Sequence, residues 1–257
     1  MSEPTFSEIL QALIAGENMT RDSAHWAFGR IMDGEWTDGQ IAALLVALAA
    51  KGETVDEIAG AATAMRERSV KIDTGGQEVL DIVGTGGTGL STFNISTCTT
   101  LVCAGAGVKV AKHGNRTNTR ASGSANVLEA LGVNLDASPD TVAGCLKEAG
   151  VCFCFAIKHH PAMKYAAAVR KQLGVRTIFN VLGPLTNPAG ASRQLMGVFD
   201  RAWTEPLAEA LGKLGVTHAM VVHAEHGLDE LSTVSPTRIS ELRGGRVRTS
   251  YLQPEDF

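Results

Sequence analysis

Residues 81–97 read DIVGTGGTGLSTFNIST, and this stretch indicates an α/β fold. An apolar run at 79–83 leads into glycines at positions 84, 86, 87 and 89, and a helix-like apolar stretch follows from Ile95 to Ala106. A strand, a glycine loop and a helix start in this order direct backbone N–H groups at one point, which suits an anion such as phosphate. Glycine lacks a Cβ atom, so the backbone can approach such a group closely. The stretch therefore predicts an anion site at the end of a strand.

The glycine loop matches neither of two common nucleotide-binding motifs. No lysine lies between Asp81 and Thr97, so the Gly-Lys-Ser/Thr that closes a P-loop is missing. GTGGTG is denser in glycine than G-x-G-x-x-G, and no acid follows at the distance that a dinucleotide site requires. The alternative is a tight β-to-α turn that binds nothing. Five side-chain donors in and after the loop argue against that alternative: Thr85, Thr92, Asn94, Ser96 and Thr97.

Composition indicates a soluble globular protein of one or two domains. The chain has 257 residues, of which 44% are hydrophobic and 19% charged. No apolar run reaches the length of a membrane span, and the N-terminus MSEPTFSEILQAL lacks the pattern of a secretory signal. The formal charge of −4 argues against a nucleic-acid partner. We expect a cytoplasmic protein with neither membrane nor nucleic acid as a partner.

Five cysteines support the same compartment. Their number is odd and they lie in apolar runs such as VCFCF at 151–155, so we expect buried thiols of a reducing cytoplasm. We expect Cys152 and Cys154 to face opposite sides of a strand. Because no second Cys or His pair follows at zinc spacing, the sequence does not favour a zinc site.

The hydrophobic pattern predicts a small helical N-terminal domain at 1–73 and a larger α/β domain at 74–257 with a mainly parallel central sheet. Capping boxes at Thr37/Gln40 and Thr54/Glu57 open two of the expected N-terminal helices. From residue 79 onward, short β-rich runs alternate with helical ones, as in βαβ units. The tail at 238–252 predicts a hairpin that turns at Gly244 and Gly245.

A second cluster, KHGNR at 112–116, follows a strand expected at 108–111. Ligands of open α/β sheets bind beyond the carboxyl ends of the strands, so this segment and the glycine loop are expected to face one pocket. Lys112 suits a phosphate as a point charge. Further donors continue toward the next helix: Thr117, Asn118, Thr119, Arg120, Ser122 and Ser124. A polar surface loop is the alternative for this cluster.

Two more clusters carry charges suited to ligands. Asp229 and Glu230 follow an apolar run and offer the hard oxygen ligands that Mg²⁺ prefers, although two solvated acids are the alternative. Arg170 follows His160 by about two and a half turns, so we expect both on one face of one helix. An arginine there suits a carboxylate ligand, and a solvated helix face is the alternative.

The ordered motifs closely resemble those of the anthranilate phosphoribosyltransferase family. The motifs are GTGG with TFNIST (84–97), KHGNR with SGSANVLEALG (112–132), HHPAMK with VRKQLGVRTIFNVLGPLTNP (159–188), QLMGVF (194–199) and GLDELS (227–232). The resemblance spans essentially the whole chain. It implies a nucleoside phosphorylase/phosphoribosyltransferase-type fold in which a segment near 160–185 returns to the helical domain. It also implies a homodimer through the helical domains.

The resemblance implies transfer of the phosphoribosyl group from 5-phosphoribosyl 1-diphosphate (PRPP) to the amine of anthranilate. The products would be N-(5-phosphoribosyl)anthranilate and pyrophosphate, the second step of tryptophan synthesis from chorismate. Mg²⁺ would be the cofactor, and no covalent nucleophile is implied.

The family's functional positions fall on this sequence as three sets. PRPP would be held by Gly84, Gly87, Thr88, Thr92, Asn94, Ile95, Ser96, Thr97, Lys112, His113, Gly114, Asn115, Arg116, Thr117, Asn118, Thr119, Arg120 and Ser124. Anthranilate would contact Gly84, His113, Asn115, His160 and Arg170. The metal ligands would be Ser96, Asp229 and Glu230.

The sequence departs from the family pattern at Thr88, at Arg120, at Asn126 and at its C-terminal end. Thr88 stands where the family usually has Asp, which bears on a second magnesium site, and the chain stops at Phe257 where the family continues. We therefore expect an α/β domain that is incomplete at its C-terminus. A nucleoside phosphorylase-like enzyme and a non-catalytic nucleic-acid-binding relative are the alternative functions, and the charge of −4 together with the intact KHGNR and GLDELS segments argues against the second.

Overall fold

The structure is a computed structural model, and it describes residues 4–90, 92–116 and 123–257. Its helices are α1 (Phe6–Ile14), α2 (Arg21–Met32), α3 (Asp38–Lys51), α4 (Val55–Glu67), α5 (Ile95–Gly105), α6 (Ser124–Ala130), α7 (Pro139–Ala149), α8 (Ala156–His159), α9 (Lys164–Leu173), α10 (Phe179–Leu182) and α11 (Thr204–Lys213). Its strands are β1 (Leu80–Gly84), β2 (Val110–Gly114), β3 (Val151–Phe155), β4 (Arg193–Gly197), β5 (His218–Ala224), β6 (Thr237–Arg243) and β7 (Arg246–Leu252). None of the helices in these ranges is long and apolar enough to cross a bilayer.

The chain divides into two compact units. The helical unit comprises Met1–Ser69 and His160–Thr186, and the α/β unit comprises Val70–His159 and Asn187–Phe257. The helical unit thus contains α1–α4 together with α9 and α10, and the whole sheet belongs to the α/β unit.

Threonine caps begin the four N-terminal helices. Thr5, Thr20, Thr37 and Thr54 each accept a hydrogen bond from the backbone N–H three residues later. The capping boxes predicted at Thr37 and Thr54 are confirmed. The apolar faces that follow bury large side chains in the core of the unit, among them Phe28, Leu44 and Ile58. Burial of such side chains, rather than helix propensity, supplies most of the stability of short helices.

A seven-stranded sheet forms the centre of the α/β unit. Its strand order is β3-β2-β1-β4-β5-β6-β7. The first five strands in this order pair in parallel, and β6 and β7 pair antiparallel. The predicted hairpin turn is confirmed, since Gly244 and Gly245 have left-handed φ angles of 56° and 74° between β6 and β7. The mainly parallel sheet brings the carboxyl ends of β1, β2, β4 and β5 to one edge.

Two expected boundaries are wrong. The second strand covers Val110–Gly114 rather than 108–111, so Lys112, His113 and Gly114 end the strand instead of following it. Pairing with β3 holds β2 extended as far as Gly114, opposite Phe155, although its last residues are polar. His160 and Arg170 do not share a helix, because Pro161 begins a short 3₁₀ turn and α9 starts only at Lys164.

The cysteine expectations need two corrections. All five thiols are free, but Cys98 and Cys145 are exposed rather than buried. Cys152 and Cys154 do not face opposite sides of β3: both are buried in the same apolar cluster. Residues two apart on a strand point to the same face, which is the physical reason.

Candidate active site

The loop after β1 has a backbone that favours glycine. Gly86, Gly87 and Gly89 have φ angles of 64°, 82° and 75°, in the left-handed region that side chains with a Cβ disfavour. Thr85 joins this loop to the end of β4, because its N–H donates to the Gly197 carbonyl (2.9 Å) and its Oγ1 accepts from the Phe199 N–H (3.0 Å). The loop shape thus depends on β1 and β4 together.

The N-terminus of α5 follows the loop. No acidic residue lies in its first turn, so the partial positive charge of the helix end is not offset there. Thr97 is buried, and its Oγ1 has no hydrogen-bond partner in the described part of the chain. Thr88 accepts a long bond of 3.4 Å from the Leu90 N–H, and Thr92 is exposed. These polar groups lie in and after the glycine loop, where the sequence predicts an anion site.

Lys112 connects β2 to both β1 and α5. Its Nζ donates to the Ile82 carbonyl (2.6 Å) and to the Ser96 Oγ (3.1 Å). An ammonium group has three donors, and these bonds use two of them. Burial lowers the pKa of Lys112 to about 8, while the carboxylates of Asp81 and Glu230 oppose that fall. Lys112 is therefore a buried cation in contact with the helix start, not a charge on a surface loop.

The rest of KHGNR turns from the sheet toward α6. A Cβ atom on Gly114 would lie 2.4 Å from Ser124 Oγ and 2.7 Å from Phe153 Cε2, so any other residue there would force these side chains to shift. Asn115 is exposed and its Oδ1 accepts from the Arg116 N–H. The Arg116 guanidinium forms two 2.7 Å bonds to Glu129. The predicted ligand residues Thr117, Asn118, Thr119 and Arg120 lie outside the described residues.

Asp229 lies beside the first glycine of the loop. The segment between β5 and β6 folds back, because the Ala224 N–H donates to the Leu228 carbonyl at 2.8 Å. A Cβ atom on Gly197 would overlap the Asp229 carbonyl oxygen at 1.7 Å, and one on Gly84 would lie 3.4 Å from Asp229 Oδ2. The structure thus brings Asp229 of GLDELS to the glycine loop, from more than a hundred residues away in sequence.

The donor set at this edge fits magnesium. Among the residues that the structure describes, no group of three or more His, Cys, Asp or Glu side chains is placed to hold a metal ion. Asp229 and Glu230 are hard oxygen donors, and Asp229 is nearly buried against the loop. Mg²⁺ is commonly bound by one or two carboxylates, with phosphate oxygens and water completing the shell. The residues present therefore suit an ion that is shared with a phosphate ligand.

His160 and Arg170 belong to the helical unit. His160 is buried, and the Arg170 guanidinium lies over the ring of Phe179, 5.1 Å from its centroid. Burial lowers the pKa of Arg170. An arginine fork that lies over an aromatic ring has the chemistry to bind a planar carboxylate. Their assignment to anthranilate stays a prediction.

The sequence predicted no role for three residues at this edge. Gly197 leaves room for the Asp229 segment, while Asp81 and Asn187 lie buried between β1 and β2. A signal for Asp81 was present, since it is a lone acid in an apolar run. Gly197 and Asn187 depend on partners that are distant in sequence.

Both parts of the chain match families of known proteins. A glycosyl transferase family helical bundle domain matches residues 7–69, and a glycosyl transferase family a/b domain matches residues 76–257. A curated anthranilate phosphoribosyltransferase of Thioalkalivibrio sulfidiphilus is 56% identical over 89% of this chain and 68% of its own length. That of Methylococcus capsulatus is 50% identical over 97% of this chain and 73% of its own length.

Solved structures agree with these matches. The anthranilate phosphoribosyltransferase of Thermus thermophilus superposes with a TM-score of 0.90 at 46% identity, covering 96% of this chain and 74% of its own. That of Saccharomyces cerevisiae, in complex with PRPP and Mg, gives a TM-score of 0.86 at 28% identity over 99% of this chain and 74% of its own. This chain is therefore shorter than the relatives it matches. With both domains matched and the glycine loop, Lys112 and Asp229 at one edge of the sheet, the chain belongs to the anthranilate phosphoribosyltransferase family.

Proposed function

We propose that this chain transfers the phosphoribosyl group of PRPP to the amine of anthranilate, forming N-(5-phosphoribosyl)anthranilate and pyrophosphate in tryptophan biosynthesis. One observation carries the proposal. The glycine loop with the start of α5, Lys112 and Asp229 come from three parts of the sequence and meet at one sheet edge, in a chain of this family. That edge combines backbone donors and a buried cation for a polyanion with carboxylates for its metal ion.

The chemistry needs positioning and charge neutralisation rather than a nucleophilic side chain. The bond between the ribose C1 and the diphosphate oxygen breaks, the anthranilate nitrogen bonds to C1, and the amine releases one proton. Backbone N–H groups of the loop, the N-terminus of α5 and Lys112 would stabilise the charge that grows on the departing pyrophosphate. Mg²⁺, when bound, neutralises part of the same charge. Holding the amine against C1 then provides the remaining acceleration.

The ligand positions follow from the same arrangement. We assign the diphosphate and ribose to Gly84, Gly87, Thr88, Thr92, the residues 94–97 and 112–120, and Ser124. Asp229, Glu230 and Ser96 are assigned to the metal. Ser96 Oγ already accepts from Lys112, so cation and metal ligand are adjacent at the helix start. Arg170 and His160, with Asn115, His113 and Gly84, are assigned to anthranilate.

The proposal also covers the oligomeric state of the chain and its location in the cell. We infer a homodimer through the helical domains and a cytoplasmic location. The family resemblance supports the dimer, and the free thiols support a reducing compartment. Sedimentation of the purified chain tests the dimer directly.

The function is tested by following the loss of anthranilate fluorescence with PRPP and Mg²⁺. We expect consumption of anthranilate that stops when Mg²⁺ is removed with a chelator. The double variant Asp229→Ala/Glu230→Ala should lose nearly all turnover at ordinary Mg²⁺, because the hard oxygen ligands are gone. A folded wild-type protein that consumes no anthranilate contradicts the proposal, and phosphorolysis of a nucleoside with inorganic phosphate would favour the nucleoside phosphorylase alternative. Unchanged kinetics of the double variant would refute the metal assignment alone.

The anthranilate end is tested separately with Arg170→Ala. We expect a rise of about tenfold in the KM for anthranilate, since a charge-assisted bidentate bond is lost, with the KM for PRPP within about twofold of wild type. Lys171→Ala, at the next position of α9, is the matched control and should leave both KM values unchanged. Equal rises in the KM values for anthranilate and PRPP would contradict the assignment of Arg170 to anthranilate.

A further inference from the structure

The two strands that carry the anion segments share only a short backbone ladder. Both strands lie wholly in the described part of the chain, where β1 and β2 are paired at Leu80 and Val110 alone. By contrast, β1 pairs with β4 at five positions, as far as Gly84 opposite Gly197. On its other side, β2 pairs with β3 at five positions, as far as Gly114 opposite Phe155. The backbone ladder between β1 and β2 therefore stops before the end that carries the glycine loop and KHGNR.

Side chains occupy the backbone groups that a continued ladder would use. One step beyond Leu80 and Val110, the Ile82 N–H would donate to the Ala111 carbonyl and the His113 N–H to the Ile82 carbonyl. Instead, the His113 N–H donates to Asp81 Oδ1 (2.9 Å) and the Ile82 carbonyl accepts from Lys112 Nζ (2.6 Å). The Ala111 carbonyl accepts from Asn187 Nδ2 at 2.7 Å. Three side chains thus replace one step of the ladder.

The three side chains that replace this step of the ladder are buried, and one of them is held in a fixed orientation. Asp81 is fully buried, and the exposed fractions of Lys112 and Asn187 are 2% and 4%. Asn187 Oδ1 accepts from the Ala189 N–H at 2.8 Å, which directs the amide nitrogen toward Ala111. Burial raises the pKa of Asp81 to about 6, and the Asn187 amide, the His113 N–H and the Lys112 ammonium oppose that rise. Buried polar groups of this kind are costly unless they are paired, so their presence here calls for a role.

We propose that Asp81 is a positioning residue for the transfer reaction: with Lys112 and Asn187 it joins β1 to β2 through side chains, and so fixes the two PRPP-binding segments relative to each other. This side-chain bridge holds the buried His113 by its N–H, two residues before the exposed Asn115. It also fixes Lys112, the cation bonded to Ser96. This inference rests on the proposed function, since it concerns the relative position of the segments assigned to PRPP.

The test compares Asp81→Asn and Asp81→Leu with wild type and with Ser240→Ala. Asparagine keeps the volume and an acceptor for the His113 N–H, but its NH₂ group would replace an oxygen near the donors of Asn187 and Lys112. Leucine removes the acceptor altogether. Ser240 is fully buried in β6 and bonds Thr249, so its loss perturbs the same sheet away from the site. Circular dichroism first establishes that each variant is folded.

We expect kcat/KM for PRPP to fall about 10-fold in Asp81→Asn and about 100-fold in Asp81→Leu, because a misplacement near 1 Å costs that much. The KM for anthranilate should stay within about twofold of wild type, and Ser240→Ala should match wild type in both. Inorganic pyrophosphate with Mg²⁺ should raise the melting temperature of the Asp81 variants less than that of wild type. Hydrogen exchange at 110–114 should be faster in Asp81→Asn, where the amide bridge is weaker.

The outcomes separate this inference from the proposed function. If wild type and Ser240→Ala turn over but Asp81→Asn keeps kcat/KM for PRPP within twofold of them, Asp81 does not position the site. If Asp81→Leu does not fold, Asp81→Asn decides alone. Equal rises in both KM values would indicate general disruption and would also overturn the inference. A wild-type protein without turnover refutes the proposed function instead, whatever the exchange data show for Asp81.

Discussion

At the scale of the residue, Gly197 lets the Asp229 segment lie against the end of β4 because glycine has no Cβ atom. Any Cβ at this position would overlap the backbone of Asp229 at 1.7 Å, and a backbone atom cannot rotate away as the end of a side chain can. We predict that Gly197→Ala displaces the Asp229 segment and lowers kcat by about 100-fold at ordinary Mg²⁺, since metal ligands must be placed to within an ångström. Steady-state assays over a Mg²⁺ titration measure the loss.

Gly144→Ala is the matched control for that prediction. Gly144 lies in α7, and no atom lies within 4 Å of the added Cβ. Alanine should stabilise the helix by somewhat under about 1 kcal/mol and leave the rate unchanged. A fully active Gly197→Ala enzyme with a normal Mg²⁺ requirement would show that the Asp229 segment can shift without consequence.

At the scale of the element, α4 begins at a capping box whose acid is buried rather than exposed. Glu57 Oε2 accepts from the Thr54 N–H (2.7 Å) and pairs with Lys51 Nζ (3.0 Å), and its Oε1 accepts from the Met19 N–H (2.9 Å). Glu57→Ala leaves Lys51 without its carboxylate in the interior, so we predict a loss of about 3 kcal/mol in the free energy of unfolding. Urea denaturation followed by circular dichroism measures it.

The capping box at the start of α3 provides the control for Glu57→Ala. Gln40 closes the box at Thr37 by the same backbone geometry but without a charge partner, and Gln40→Ala should cost about 1 kcal/mol or less. If the two variants lose equal stability, the buried pair contributes nothing beyond the cap.

At the scale of the whole molecule, the charge buried between β1 and β2 makes stability depend on pH. The pKa of Asp81 is about 6 in the folded chain, above its ordinary value near 4. Between those values the folded state binds more protons than the unfolded state, so the free energy of unfolding falls as pH rises. Relative to Asp81→Asn, we predict that wild type loses about 2–3 kcal/mol from pH 4 to pH 6.5. Urea denaturation at a series of pH values tests this for the α/β unit.

Asp136→Asn supplies a control of opposite sign. The Lys158 ammonium, 2.6 Å away, lowers the pKa of the exposed Asp136 carboxyl. Wild type should therefore gain stability relative to this variant as pH rises, by a small amount because water screens an exposed pair. If the free energy of unfolding of wild type and of Asp81→Asn changes with pH in the same way, the raised pKa of Asp81 does not contribute to stability as predicted.

The sequence by itself determined the local elements and the kinds of group at the site. Threonine caps, apolar periodicity and the Gly244–Gly245 turn are signals between near neighbours, so the helices and the hairpin could be predicted within a few residues. Glycine density and the donors after it identified an anion loop, because close backbone approach requires glycine wherever it occurs. The ordered motifs then indicated the family.

Only the tertiary structure decided which distant groups meet. It extended β2 to Gly114 by pairing it with β3, and it set Asp229 against Gly84 and Gly197. It also ended the ladder between β1 and β2 early and bonded the backbone groups beyond it to Asp81, Lys112 and Asn187. Such contacts depend on strand order and register, which join residues about 30 to 145 positions apart, and no periodicity in the chain encodes them.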